Sequence, residues 1–439
     1  MGTQKNGNVV AIITMLFLFA MISFVTNLAA PIGVIWKNQE SFGGSNFLGM
    51  LGNMMNFLAY LFMGIPAGKL LAKIGYKKTA LVAIAIGFLG VLIQFLSGVI
   101  GVGDVLFGLP ANFCIYLLGA FVAGFSVCML NTVVNPMLNL LGGGGNRGNQ
   151  LVQLGGTANS LAGTLTPMLV GALIGQVTSD TAISDVNLVL YIAMGVFAAA
   201  FLALAFIPIA DPEQAHASTA KPEHSPWNFR HFVLGSVAIF VYVGIEVGIP
   251  GTLNFYLSDT TANGGGLDPK TATSIAGFVA GTYWFLMLIG RFFGSMIGGK
   301  VSSKTMLTCV ASCAIVLVAL SMFLPHTMTS MPVFTGSSFA VVDVPLAALL
   351  LVLCGLCTSI MWGGIFNLAV EGLGKYTSAA SGIFMMMVVG GGILPLLQNW
   401  IADVTTYMTS YWVVIAGLAY ILYYALRGSK NVNKDIPVD

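Results

Sequence analysis

Charge is what this chain has least of. Only 7% of its 439 residues are Asp, Glu, Lys or Arg, where a soluble domain carries ~25%. So few charges cannot cover a water-facing surface, which excludes an ordinary soluble fold. The net charge is +2, so nothing points to nucleic acid as a partner. The four histidines, His216, His224, His231 and His326, fall in loops or at the ends of apolar runs. No HExxH or GxSxG stands in a usable place, so an enzyme is not expected. Cys354 and Cys357 form a CxxC inside an apolar run with no second ligand pair, and no metal or other cofactor is expected. Gly142 to Gly145 lacks the Lys-Ser/Thr of a phosphate cradle and reads as a flexible loop. The first apolar run, Val9 to Trp36, is too long for the core of a cleavable leader and reads as a first span.

What the chain does have is long apolar runs, with 57% hydrophobic residues and 54 glycines. A helix that crosses a bilayer needs ~20 mostly apolar residues, because its backbone must satisfy itself. Six runs qualify in the first half: Val9–Trp36, Phe47–Leu71, Thr79–Ile100, Phe113–Leu141, Gln150–Gly175 and Leu188–Ala210. Six more follow: Phe232–Leu257, Thr273–Ile297, Met306–Leu324, Val344–Ala369, Ser378–Ile401 and Tyr407–Leu426. The fold class expected is all-α and integral to the membrane, with 12 transmembrane helices in two six-helix pseudo-repeat bundles. The bundles are expected at 1–210 and 231–439, joined by a polar linker at 211–230. Lys and Arg cluster in alternate loops, leaving only Lys37 and Lys270 in the others, so both termini are expected in the cytoplasm. The expected location is the bacterial inner membrane, and the expected state a monomer. Trp36, Trp400 and Trp412 stand near run ends, where interfacial anchors belong.

The halves echo one another. Gly68–Ala83 (GKLLAKIGYKKTALVA) has a partner in Gly298–Ala311 (GGKVSSKTMLTCVA), with Lys78-Thr79 matched by Lys304-Thr305. Asn139 precedes Gly163-x-x-x-Pro167 by the spacing at which Asn367 precedes Gly391-x-x-x-Pro395. A duplicated six-helix unit is the plan of transporters whose site lies near the midplane between the repeats.

Several stretches are specific. NFLAYLFMGIPAGKLLAKIGYKK (Asn56–Lys78), FVYVGIEVGIPGTLNFYL (Phe240–Leu257), TYWFLMLIGRFFGS (Thr282–Ser295) and IFNLAVEGLGKYTSAASGIFMMMVVGGGILPLLQNWIAD (Ile365–Asp403) span most of the chain. Together they resemble the fucose–galactose–glucose:proton symporter family of the major facilitator superfamily. The resemblance implies a secondary active transporter that imports a neutral monosaccharide by alternating access, with a proton as coupling ion. It also implies an Asp in span one, a Glu in span four and a Gln in span five. Here Asn27, Asn131 and Gly156 stand in those places, while Asn159 keeps the family's span-five Asn. Sodium coupling, uncoupled facilitation and export of amphipathic compounds remain alternatives.

The residues themselves suggest the site. A sugar offers hydroxyls that both donate and accept, and apolar ring faces, so it calls for amides and an aromatic plane. Asn27, Asn131, Asn159, Asn254, Asn367 and Gln398 supply the amides, and Trp284 and Trp362 the planes. Glu246 is the one ionisable residue read as deep in a span, which makes it a substrate-site and proton-coupling candidate. Lys69, Lys73 and Arg291 are read as gate charges of the basic loops, and Glu371 with Lys375 as a gating or helix-end ion pair. No cation is read at mid-depth, so a neutral sugar is favoured over an acid.

Overall fold

The structure, a computed structural model, describes residues 2–142, 145–207, 224–297, 300–324, 326–433 and 435–437. Most of the linker expected at 211–230 therefore lies outside the described residues. Its end is a 3-10 turn, Pro226–Asn228, that feeds the seventh span.

Twelve helical spans among the described residues are long and apolar enough to cross a membrane. Nine are single helices: α1 (Gly2–Asn38), α2 (Asn46–Ile74), α3 (Tyr76–Leu96), α4 (Ala111–Leu141), α5 (Gly145–Ile174), α6 (Asn187–Phe206), α7 (Arg230–Ser258), α8 (Ala272–Ile297) and α9 (Ser303–Phe323). The last three are interrupted, where the sequence suggested continuous rods. Span ten is α10 (Leu346–Thr358) and α11 (Met361–Val370). Span eleven is α12 (Thr377–Met387) and α13 (Gly390–Val404). Span twelve is α14 (Tyr407–Ser410) and α15 (Trp412–Tyr423), closing in a π turn at Tyr424–Gly428. The first break has a local cause. The hydroxyls of Thr358 and Ser359 donate back to the carbonyls of Cys354 and Leu356 (3.1 and 2.6 Å), offering the backbone an alternative to the helical ladder. The second falls just before three consecutive glycines, Gly390 to Gly392, which favour the helix least after proline.

Two hairpins were not anticipated. β1 (Val105–Leu106) pairs with β2 (Leu109–Pro110) between spans three and four. β3 (Met328–Phe334) pairs with β4 (Phe339–Pro345) between spans nine and ten, in register from Met328↔Pro345 to Phe334↔Phe339. They occupy equivalent places in the two repeats, and so mark one end of the molecule. The helix ends around the α2–α3 turn, with Lys69, Lys73, Lys77 and Lys78, and around the α8–α9 connection, with Lys300 and Lys304, mark the other, basic end.

Within the first six spans α3 packs on α4 and α6, α2 on α4, and α1 on α5. Within the last six α7 packs on α8, α11 and α13, and α9 on α10 and α15. The two sets meet along α5 against α8 and along α2 against α12 and α13. Spans two and eight, and five and eleven, correspond in the repeat, so the two contacts are images of each other. Lipid gives no hydrophobic drive for this, and small residues permit the close approach that does. On α8, a Cβ at Gly277 would collide with the Pro167 carbonyl of α5, and one at Gly171 would stand 2.8 Å from the Thr273 oxygen. Ser274 closes the contact by donating to the Gly171 carbonyl at 3.1 Å.

Trp36 departs from its expected role. It is fully buried against Phe113 and Tyr116, with ring centroids 4.9 and 5.3 Å away, because α1 runs two residues beyond it before turning. Trp400 and Trp412 are exposed, as anchors would be.

Gly277→Leu is expected to destabilise the detergent-solubilised protein by about 1–3 kcal/mol, the cost of overpacking a tight contact. Gly195→Leu, at a position with open space around it, should leave the melting temperature where it was. Equal melting of both variants would show that the α5–α8 approach is not tight.

Candidate transport site

Proline sets the geometry of the middle of the molecule. Pro31, Pro167 and Pro250 lie inside α1, α5 and α7, and each removes the N–H that would bond to the carbonyl four residues earlier. The three prolines border one small cavity of about 30 Å3 between the helices. Thr26, Asn27, Asn53, Asn254 and Trp284 supply its polar and aromatic lining, and Met50, Val247, Gly251 and Ala280 much of the rest. The lining comes from α1, α2 and α5 of the first repeat and α7 and α8 of the second, so the cavity straddles the interface. No charged side chain is among the described lining residues.

Pro395 acts in the same way outside the cavity wall. It frees the Gly391 carbonyl of α13, and the Asn53 side chain of α2 donates to that oxygen at 2.9 Å. Asn53 is thereby fixed across the interface where it lines the cavity. The sequence reading passed over Asn53, although the argument for intramembrane amides applied to span two as well.

The predicted amides divide. Asn27 and Asn254 line the cavity; Asn27 is oriented by donating to the Ser23 carbonyl and hydroxyl (2.9 and 3.1 Å), and Asn254 is 2% exposed. Asn131 instead donates to the Tyr60 hydroxyl at 2.7 Å, joining α4 to α2. Asn159 donates to the Phe19 carbonyl at 3.0 Å, joining α5 to α1. Neither belongs to the cavity lining; both are helix-to-helix ties, because an amide in lipid takes the nearest carbonyl or hydroxyl. Gln398 is buried against Gly248 of α7, its amide nitrogen without a partner among the described residues. Asn367 is exposed near the end of α11 and is not brought to the cavity. Of the two tryptophans, Trp284 lines the cavity, whereas Trp362 packs near Tyr242, 6.2 Å between centroids.

Glu246 is not a lone carboxylate. Its Oε1 stands 3.5 Å from Nη2 of Arg291, with the two side chains 14% and 16% exposed. Arg291 lies inside α8, about two helical turns beyond Trp284 towards the basic end, and not in a loop as the sequence suggested. Its Nη1 donates to the Gly156 carbonyl at 2.8 Å and the Ser160 hydroxyl at 2.9 Å, both on α5. One guanidinium therefore joins α8, α7 and α5, across the interface and next to the cavity residue Val247. A Cβ at Gly156 would stand 3.5 Å from Arg291 Nη1, an ordinary contact, so it is the Gly156 carbonyl and not the missing side chain that Arg291 uses. The mid-depth cation that the sequence reading lacked is present, with its charge matched by Glu246.

The remaining gate candidates stay apart from the cavity. Lys69 and Lys73 are exposed on the last turns of α2. Glu371 is exposed at the end of α11, where its carbonyl meets the His231 ring nitrogen at 2.9 Å. The Lys375 side chain, its expected partner, lies outside the described residues.

At the hairpin end, Lys37, Asn46, Asp259, Asp403 and Tyr407 form a polar cluster that no motif announced. Lys37 was read as a loop residue, but it is in the last turn of α1 and 2% exposed.

The Major Facilitator Superfamily model matches residues 12–395. Over 438 residues the chain is 32% identical to the glucose/galactose transporter of Brucella abortus biovar 1 (strain 9-941), covering 98% of this chain and 96% of that one. It is 23% identical over 417 residues to the L-fucose-proton symporter of Escherichia coli (strain K12), covering 89% and 85%. The crystal structure of FucP, a Major Facilitator Superfamily transporter, in the outward conformation matches with a TM-score of 0.66 at 19% identity, over 97% of this chain and 100% of that chain. With the repeat, the paired interfaces and a cavity between them, this chain belongs to the major facilitator superfamily and, within it, to the fucose–galactose–glucose:proton symporter family.

Proposed function

We propose that the protein imports a neutral hexose-class sugar by alternating access, coupled to a proton through Glu246. The observation that carries the reading is the cavity lining. Asn27, Asn53 and Asn254 offer amides that donate and accept, Trp284 offers an apolar plane, and the described lining carries no net charge for an acid to meet. An amphipathic cargo would have less use for three amides. The name of the Brucella relative, a glucose/galactose transporter, supports the same class.

On this reading residues 1–210 and 231–439 are the two moving bundles and 211–230 the cytoplasmic linker. The basic end faces the cytoplasm, as the excess of Lys and Arg in its loops favours, and the hairpins face outside.

Coupling follows from the ion pair. Accumulation needs an ion whose binding differs between the two orientations of the cavity. Ionised, Glu246 neutralises Arg291 while that guanidinium holds Gly156 and Ser160 of α5. Protonated, it no longer does, and the tie from α8 to α7 weakens. Asn27 and Asn131 cannot titrate, which leaves this pair as the coupling element.

The direct test is uptake by purified protein in liposomes, with labelled sugars under imposed proton or sodium gradients. Neutral hexoses should accumulate with an inward proton gradient. Accumulation only with sodium, or mere equilibration, would refute the proton reading while keeping the sugar. Asn254→Ala and Trp284→Ala should each weaken sugar binding by ~1–3 kcal/mol in calorimetry, the cost of unpaired polar groups or lost packing. Unaltered binding in both would show that the cargo does not use this cavity. Glu246→Gln, similar in shape and fixed neutral, should abolish proton-driven accumulation and spare sugar exchange. Wild-type accumulation by this variant would exclude coupling through Glu246.

A further inference from the structure

A second constellation of charge lies one layer above the cavity, at the hairpin end. The Lys37 ammonium, on the last turn of α1, donates to Asn46 Oδ1 of α2 at 2.8 Å and to the Tyr407 hydroxyl of α14 at 2.8 Å. Asp259 Oδ2, just past the end of α7, is 3.9 Å away. The Tyr407 hydroxyl is 2.8 Å from Asp259 Oδ2 and 2.9 Å from Asn46 Oδ1, and with one proton it donates to one of them at a time. Two of the four elements come from the first repeat and two from the second.

Asp403, at the end of α13, extends the link. Its Oδ1 accepts from the Asn46 backbone N–H at 2.7 Å, and its Oδ2 from the Phe47 N–H at 2.9 Å and the Ser45 hydroxyl at 2.8 Å. A carboxylate of the second repeat thus caps the positive N-terminus of α2 in the first. Directly beneath, α1 and α2 cross so closely at Gly33 and Gly49 that the Phe255 ring closes over them; a Cβ on either glycine would stand 3.0 or 3.2 Å from its edge. Met50 and Asn254, each next to one of these roof residues in sequence, already line the cavity.

An ammonium only 2% exposed, with a carboxylate beside it, is costly unless every partner is present. The partners come together only when the two repeats meet at this end. If the repeats part here, Lys37 and Asp259 regain water instead, and Asp403, already exposed, gives up only its hold on α2. The cluster therefore has two satisfactory arrangements, one dry and paired, one wet and apart, which is what a switch requires. The carboxyl of Asp259 fits the paired form: burial pushes it up, but Lys37 and the hydrogen bonds from Thr261 and Tyr407 outweigh this and hold it below the usual carboxylate range.

We propose that Lys37, Asp259, Tyr407 and Asp403 form the latch of the outer gate, assembling over the Phe255 roof each time the transporter closes to the outside and separating each time it opens. They act as positioning residues: none lines the cavity, and each sets which side the cavity faces. The inference rests on alternating access with the hairpins facing outside, as proposed above, and on neither the sugar nor the coupling ion.

The test needs no cargo. Met50→Cys, in a background without the six native cysteines, places a reporter in the cavity wall below the latch. An impermeant maleimide is applied to right-side-out and to inverted vesicles. Lys37→Gln and Asp259→Asn should each speed labelling from outside by roughly tenfold, the size expected for losing a charged hydrogen-bonded partner, and slow it from inside. Tyr407→Phe keeps both charges and folds with one hydroxyl fewer; it should shift both rates in the same directions by less. The double variant Lys37→Gln/Asp259→Asn should be no more open than either single, since the two act as a unit. Outside labelling unchanged in all variants, or labelling faster from both sides as a loosened fold would give, overturns the latch. Sugar transport that fails altogether in liposomes, beside this pattern of labelling, would reject the sugar reading and leave the latch standing.

Discussion

Lipid supplies no hydrogen bonds, and nearly every notable contact in this molecule answers that constraint. Prolines inside α1, α5, α7 and α13 open the backbone ladder, and each opening has to be met from within. Asn53 meets the one at Gly391 by reaching across the repeat interface. Asn131 and Asn159 tie helices inside the first repeat. Where three prolines border one cavity, Asn27, Asn53 and Asn254 line it beside them. A cargo rich in hydroxyls would find in those amides both donors and acceptors. Transport specificity and helix packing are thus one problem in this chain, solved with the same few side chains.

Charge follows the same logic at higher stakes. Among the described residues two ion pairs lie within the membrane-crossing spans or at their ends; Lys37–Asp259 joins the two repeats, and Glu246–Arg291 lies within the second while Arg291 also bonds α5 of the first. Glu246 and Arg291 stand below the cavity, with Arg291 also holding α5. Lys37 and Asp259 stand above it, with Tyr407 between them. A buried pair contributes little net stability, because desolvation offsets the attraction, but removing one partner is costly. That makes such pairs poor glue and good state markers: whichever arrangement keeps both charges satisfied is the one occupied.

The architecture was legible because its signals are long. Twelve apolar runs, two echoed motifs and an uneven spread of Lys and Arg survive errors of several residues. The interruptions in spans ten and eleven were not legible, since Thr358-Ser359 and the glycines at 390–392 lie within runs whose mean hydropathy stays high. The hairpin at 328–345 was hidden because its strands, MTSMPVF and FAVVDVP, are short and mostly apolar and border the long runs of spans nine and ten. The site was half legible. Apolar surroundings singled out Asn27, Asn254, Glu246 and Trp284. They could not say that Asn131 and Asn159 turn to neighbouring helices, that Asn367 stays exposed, or that Arg291 reaches Glu246 from another span. Such pairings depend on helix rotation, which one sequence does not encode locally. Lys37 was misread for a related reason: a lysine at the end of an apolar run looks like loop until its partners, far along the chain, are brought beside it.

The central claim is that a charge-neutral cavity between the repeats is built for a neutral sugar. Equilibrium binding to the purified protein tests it most directly, comparing glucose, galactose and fucose with glucuronate and with a hydrophobic cation. The account predicts saturable binding of one or more of the neutral sugars and none of the acid or the cation, because Arg291 is matched by Glu246 and the lining offers amides. Tighter binding of glucuronate than of glucose, or binding of the cation alone, would contradict it.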